Sequence, residues 1–323
     1  MERVSPRVRV AIVVAVAALV AAAVAVGAGV LTRDDSEGRG REGAPPLVLD
    51  LGVRTDREAR DLRRAGRLYG DGRRREAAPI FERYLSLQAR IGLALARWPR
   101  GTRGRLEQLS ARQPRSAAVR LHLGLAYFWA GRDSEAAGEW RAAARVEPDS
   151  IFAVRAADLL YPGQAPGLPT FLPGFQPPAA LDDLGAPKQL ELLRRNATRP
   201  DARAKLLYGV ALQRLGRPRS AERTFAEAAR LAPGDAEAQT AAAVGRYRKE
   251  APERTFSRLG PLTRRFPEAA TVRFHLGLCL LWLGNLDQAR GQLRRARAMA
   301  PGSAIAREAN RFLARLEGVG TQS

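Results

Sequence analysis

His122 and His275 are the only two histidines of the 323-residue chain, and imidazole is the side chain best suited to acid–base work or metal ligation near neutral pH. Either role needs company: a nucleophile or carboxylate within reach, or further ligands at metal spacing. His122 lies in VRLHLGLAYFWAG (119–131) and His275 in VRFHLGLCLLWLG (272–284), the same slot of a segment written twice. Duplication accounts for the match, so both read as structural or surface residues. The one cysteine, Cys279, aligns with Ala126; it reads as a small core residue, and alone it closes no internal disulfide. The sequence contains no HExxH, no glycine-rich loop ending in Lys-Ser/Thr and no paired-cysteine spacing, the patterns that carry zinc, phosphate and structural-metal chemistry. No catalytic, cofactor-binding or metal residue is therefore assigned, no cofactor is expected, and the chain reads as a non-enzyme. Asn196-Ala197-Thr198 has the form of a glycosylation acceptor but falls in a predicted helix, and it reads as a chance tripeptide.

The elements that carry these residues announce themselves by repetition. At an offset of 153, residues 105–131 and 258–284 agree at 14 of 27 positions, and duplication of a helical pattern points to repeat architecture. A shorter unit recurs inside each copy. Counted from Ala117, it places Leu123-Gly124 at 7 and 8, Tyr127 at 11, Gly131 at 15, Ala136 at 20, Trp140 at 24, Ala143 at 27 and Pro148 at 32. Units counted from Ala202 and Ala270 keep this spacing, with Gly216 and Gly284 at the turn. Small residues at 8, 20 and 27 let two helices approach, and large ones at 11 and 24 fill the space between them. The pattern resembles the tetratricopeptide repeat, in the membrane-anchored bacterial form. That resemblance implies an all-α, helical-repeat solenoid of about seven antiparallel helix pairs, each burying its apolar face on its neighbours. One departure is visible: position 4, often tryptophan in the family, is Arg120, Lys205 or Arg273.

The resemblance also implies a concave groove lined by positions 2, 5, 9, 12 and 13. Here that gives Leu121, Leu125, Phe128 and Trp129 in one copy and Phe274, Leu278, Leu281 and Trp282 in the other, both apolar. The unit at 202 is more polar there, with Arg203, Gln213 and Arg214. The Lys, Asn and Arg carboxylate clamp of chaperone-binding members is missing from the two apolar sets. A protein or peptide partner is expected on this groove; plain helix packing is the alternative reading of the same aromatics.

Composition supplies the rest. The formal charge is +21 and the basic residues are nearly all arginine, with lysine only at 188, 205 and 249; either a compositional bias toward arginine and alanine or attraction to an anionic surface accounts for it. The densest cluster, Arg73, Arg74 and Arg75, is a candidate basic patch, but acidic residues interleave along 54–75 and argue against nucleic acid. Residues 10–31 carry no charge and no proline, enough helix for about 33 Å, a bilayer core. This segment reads as an uncleaved signal anchor rather than a cleaved signal peptide, with the repeats outside the cytoplasm. The expected organisation is a basic tail (1–9), transmembrane anchor (10–31), flexible stalk (32–54), first repeat half (55–160), proline-rich insertion (161–187), second half with a capping helix (188–317) and tail (318–323). One continuous superhelix is the first reading and two lobes the second. Phe171 and Phe175 in the insertion are expected to dock on the apolar groove near Trp129 or Trp282. Functionally, the reading is a membrane-tethered interaction scaffold; an envelope or cytochrome assembly factor, or a basic solenoid binding anionic polymer or lipid, are the alternatives.

Overall fold

The structure is a computed structural model and describes residues 41–320. The anchor expected over 10–31 lies outside these residues; among the described ones no helix is long and apolar enough to cross a membrane. They form fifteen α-helices and no strand. In the first half these are α1 (Arg57–Gly70), α2 (Arg74–Glu82), α3 (Leu87–Ala96), α4 (Thr102–Arg112), α5 (Ala117–Trp129), α6 (Asp133–Val146) and α7 (Ile151–Leu160). The second half holds α8 (Ala186–Asn196), α9 (Ala202–Arg214), α10 (Pro218–Leu231), α11 (Ala236–Val244), α12 (Glu253–Arg265), α13 (Ala270–Trp282), α14 (Leu286–Met299) and α15 (Ala304–Gly320).

Helix starts follow side-chain chemistry. Asp56, Ser86, Ser116, Ser150, Asp201 and Asp235 each accept a backbone N–H of the first turn, satisfying donors that the helix itself cannot. The turns within pairs rest on glycine at left-handed φ: Gly72, Gly131, Gly216 and Gly284 at +78°, +73°, +68° and +86°. Within a pair, the position-8 glycine admits the position-24 ring of the partner helix. A Cβ on Gly209 would lie 2.3 Å from Phe225, and one on Gly124 2.5 Å from Trp140. Where the family often has tryptophan at position 4, this chain bridges the two helices of a pair with polar groups. Arg120 pairs with Glu139 at 2.9 Å, Lys205 with Glu227 at 2.7 Å, and Arg273 reaches Gln292 at 3.5 Å.

The stack is interrupted once. The helices on either side of the proline-rich insertion, α7 and α8, do not pack as a pair; α8 packs on α9. The intervening chain leaves α7 to run along the second half, which carries α8 away from it. Accordingly one apolar core spans Leu51 to Ala156, and the others spread from Phe171 to Leu316. Polar contacts bridge the junction. Asp149 accepts from Arg219 N at 2.8 Å and Ser220 N at 3.0 Å at the start of α10, and Asp50 pairs with Arg217 at 2.6 Å. Lys249, with no side-chain exposure, pairs with Asp158 at 2.6 Å.

Candidate functional site: two self-filled grooves

Each groove contains a strap of the chain's own backbone. In the first half it is residues 41–55, expected as the end of a flexible stalk; Ala44, Leu47, Val48 and Leu49 instead pack on the first core, and Leu51 belongs to it. Burial of that apolar run orders a segment whose polar, glycine-rich beginning suggested a linker. The second strap, residues 165–179, comes from the proline-rich insertion.

The two straps are held in the same register. Arg41 N donates to Trp129 O at 2.9 Å, and Ala165 N donates to Trp282 O at 2.9 Å. Seven residues on, Val48 N donates to His122 Nε2 at 3.0 Å and Leu172 N to His275 Nε2 at 2.9 Å. Two residues further, Asp50 N meets Gln88 Oε1 at 3.3 Å and Gly174 N meets Glu237 Oε1 at 2.8 Å. Gln88 and Glu237 are each the second residue of their helix, α3 and α11. Because a strap residue and its helical partner advance in opposite directions along the chain, each strap runs antiparallel to α5 or α13. Seven helical residues rise about 10.5 Å whereas seven extended residues span about 23 Å, so the strap must bend. Gly43 and Gly167, at φ +80° and +73°, supply that bend in both copies, a conformation closed to most side chains. Pro45 and Pro169 follow two residues later, both buried.

This geometry settles the histidine chemistry. An Nε2 that accepts a backbone N–H is unprotonated, so the proton sits on Nδ1, which lies 2.7 Å from the carbonyl oxygen four residues back, Ala118 O or Thr271 O. Both rings are fully buried, and that desolvation lowers their pKa to about 4. They are neutral hydrogen-bonding posts, not bases presented to a substrate. Cys279 is buried, and burial raises its thiol pKa well above the ordinary range. Among the described residues no group of three or more His, Cys, Asp or Glu converges as metal ligands.

Of the expected groove residues, Leu121, Leu125, Trp129, Phe274 and Leu278 are buried in the helical cores, while Phe128, Leu281 and Trp282 are partly covered. Phe128 carries the Arg41 guanidinium 3.4 Å above its ring, and Trp129 Nε1 donates to Glu42 O at 3.3 Å. Phe171 is 2% exposed. It stacks on His275 at 4.9 Å and meets Phe225 edge-on at 5.7 Å. Phe175 sits shallower, with Arg203 5.3 Å from its ring centroid. Phe171 N also donates to Gln213 Oε1 at 2.9 Å, a groove position of the polar unit. The three patch arginines are committed differently: Arg73 pairs with Glu76 at 2.6 Å, Arg74 donates to Trp98 O at 3.2 Å, and Arg75 is exposed.

The reading from residue pattern alone missed that the first half has a strap at all. Its signal is a Gly-x-Pro at 43–45 and again at 167–169, followed at equal spacing by apolar pairs, Leu47-Val48 and Phe171-Leu172, then Leu51 and Phe175. The strap offset of 124 differs from the helical offset of 153 because α8 and its lead are interposed in the second half, so a single-offset comparison hides it.

Comparison with known proteins agrees on the repeat. No curated protein matches the chain. Similar solved structures include YrrB, a repeat protein with an unusual peptide-binding site (15% identity, 64% of this chain and 97% of that one, TM-score 0.31). Yeast Tom70 is another (12%, 86% and 68%, 0.32), as is the TPR2AB domain of yeast Sti1 in complex with pHSP90 (12%, 80% and 98%, 0.31). Superpositions this loose carry no functional assignment. The tetratricopeptide-repeat family model matches residues 257–304, spanning most of α12, all of α13 and α14 and the first residue of α15; over that stretch the chain is similar to the tetratricopeptide repeat, and the same helix-pair unit recurs along it.

Proposed function

We propose that the chain is a non-catalytic protein-interaction scaffold, tethered to a membrane by residues 10–31 with its repeats on the extracytoplasmic side. The observation that carries the interaction role is the straps themselves. Each groove grips an extended segment mainly by its main-chain N–H groups, through a histidine, a carboxamide or carboxylate and a helix carbonyl, which is the chemistry of a receptor for extended peptide. In this reading a partner segment takes the place of a strap. A tethered strap competes at an effective concentration in the millimolar range, so partner binding is weak until the strap is loosened. The tether is supported by the uncharged 22-residue run, and the α-amino group together with Arg7 and Arg9 close against the segment favours a cytoplasmic N-terminus, the arginine counts on the two sides being level.

The test uses the full-length protein. A photo-crosslinker at Leu281, partly exposed beside the second strap, is installed in wild type and in L172P, which removes the N–H that His275 accepts. Partner crosslinks from detergent-solubilised membranes should rise in L172P. No crosslinked partner in either form overturns the groove reading. A phosphatase fused after Ser323 should be active; inactivity reverses the orientation.

A further inference from the structure

On the second half, α10, the loop between α11 and α12, and α12 enclose a cleft of about 270 Å³ lined by five arginines: 219, 246, 248, 254 and 258. Glu222 is the only carboxylate in its lining. It is shared, pairing with Arg248 and lying 3.5 Å from Arg219. Among the described residues Arg246, Arg254 and Arg258 have no ion-pair partner. Elsewhere the exposed arginines of this basic chain are often matched by a carboxylate three residues away, as in Arg73 with Glu76, Arg132 with Glu135 and Arg194 with Glu191. In the cleft one carboxylate, Glu222, serves both Arg219 and Arg248, and the other three arginines lack that compensation.

Arg248 separates this site from a mere solvated basic surface. It is 8% exposed. Its Nη1 is turned to the carbonyls of Gly245 at 3.2 Å and Tyr247 at 2.6 Å, while Nε is buried without a hydrogen-bond partner. A buried guanidinium with an unmet donor is costly unless something meets it. The loop that carries it also alternates. Tyr247 and Lys249 face the second strap, with Tyr247 Oη donating to Gln164 Oε1 at 3.0 Å and Lys249 Nζ to Ala165 O at 2.7 Å, while Arg246 and Arg248 line the cleft. The arginines are therefore positioned by the same contacts that seat the strap.

We propose that this cleft binds a phosphate-type oxyanion, a ligand bearing one or two phosphoryl groups. Planar guanidinium forks match tetrahedral oxyanions by paired N–H bonds, and several unneutralised cations together favour a multiply charged anion over a single carboxylate. A cleft of this size is below the usual range for drug-sized ligands, about 300–1,000 Å³, which suits a small anionic group. The phosphoryl group could belong to a soluble diphosphate or to the headgroup of a phosphomonoester lipid. Both present the same chemistry to the arginines.

The experiment is calorimetric titration of the full-length protein in detergent with pyrophosphate and, separately, with short-chain phosphatidic acid, at ionic strength held constant with chloride. R254Q/R258Q removes two exposed arginines that have no partner; R75Q/R115Q removes the same charge elsewhere on the surface. Saturable binding should weaken by about tenfold or more in the cleft variant and by less than about twofold in the control, with unliganded melting unchanged in both. Tighter, cleft-dependent binding of phosphatidic acid than of pyrophosphate assigns the group to lipid; the reverse order assigns it to a soluble ligand. Equal weakening in the two variants, or no saturable uptake of either probe, overturns the proposal.

Discussion

His275 Nε2 accepts the main-chain N–H of Leu172 at 2.9 Å, and the ring stacks on Phe171, the residue before it. His122 and Val48 repeat the hydrogen bond in the first half at 3.0 Å. A duplicated histidine thus reports a duplicated strap, each ring serving as the post on which an extended segment is hung.

Removing the strap donor tests this pairing. Leu172→Pro leaves a buried Nε2 without a partner, and the expected loss of stability is about 1–3 kcal/mol, read from the midpoint of denaturant unfolding. In a His275→Phe background the acceptor is already gone, so the same L172P change should cost clearly less. Equal costs in the two backgrounds would show that the hydrogen bond contributes nothing.

The same rings make stability depend on pH. Their folded pKa of about 4 lies below the ordinary histidine value of 6.5, so between these values the unfolded chain takes up protons that the folded chain refuses. The contribution is fully present above pH 6.5, declines below it and is lost as pH falls through about 4. Each ring contributes about 3 kcal/mol at most over that window, at roughly 1.4 kcal/mol per pKa unit. Unfolding followed at pH 7 and pH 4.5 should show a steeper loss in wild type than in H275F, with H122F/H275F flatter still.

Two glycines should fail for different reasons. Gly209→Ala puts a Cβ 2.3 Å from the Phe225 ring and should cost about 1–3 kcal/mol by overpacking, with F225L restoring part of the loss. Gly284→Ala meets only Gly163 O at 3.7 Å but holds φ +86°; its cost of about 1–2 kcal/mol is conformational and no neighbouring substitution should relieve it. Thermal or urea unfolding of the three variants separates the two cases.

Asp158→Asn removes the partner of a lysine with no side-chain exposure. A buried charge left alone costs about 3–5 kcal/mol. Because Asp158 also accepts Gly167 N at 2.8 Å and Lys249 holds Ala165 O, limited proteolysis of this variant should open within 161–187 before the helices are cut. Replacing both members, as D158L/K249M, should be milder than D158N alone.

The repeat itself was legible from residue type and spacing, since Gly124 and Trp140, Gly209 and Phe225, or the turn glycines 131, 216 and 284 occupy fixed places dictated by close helix approach and positive φ. These are local constraints, and local constraints leave a period in the sequence. What the sequence could not tell is which chain lines a groove. A strap is held by its own main-chain N–H groups, and those are common to every residue but proline, so the pattern demands little of side-chain identity: Gly43-x-Pro45 and Gly167-x-Pro169 recur, followed only by apolar positions of no fixed residue type.

Tertiary structure alone decided the rest. It placed residues 41–55 on α5, turned two histidines into neutral acceptors by burying them, separated α8 from α7, and gathered arginines from α10, α12 and the loop between α11 and α12 around one cleft. Each outcome joins residues far apart in the chain through burial and hydrogen-bond satisfaction, energies set by the assembled surroundings, which no stretch of residues carries by itself.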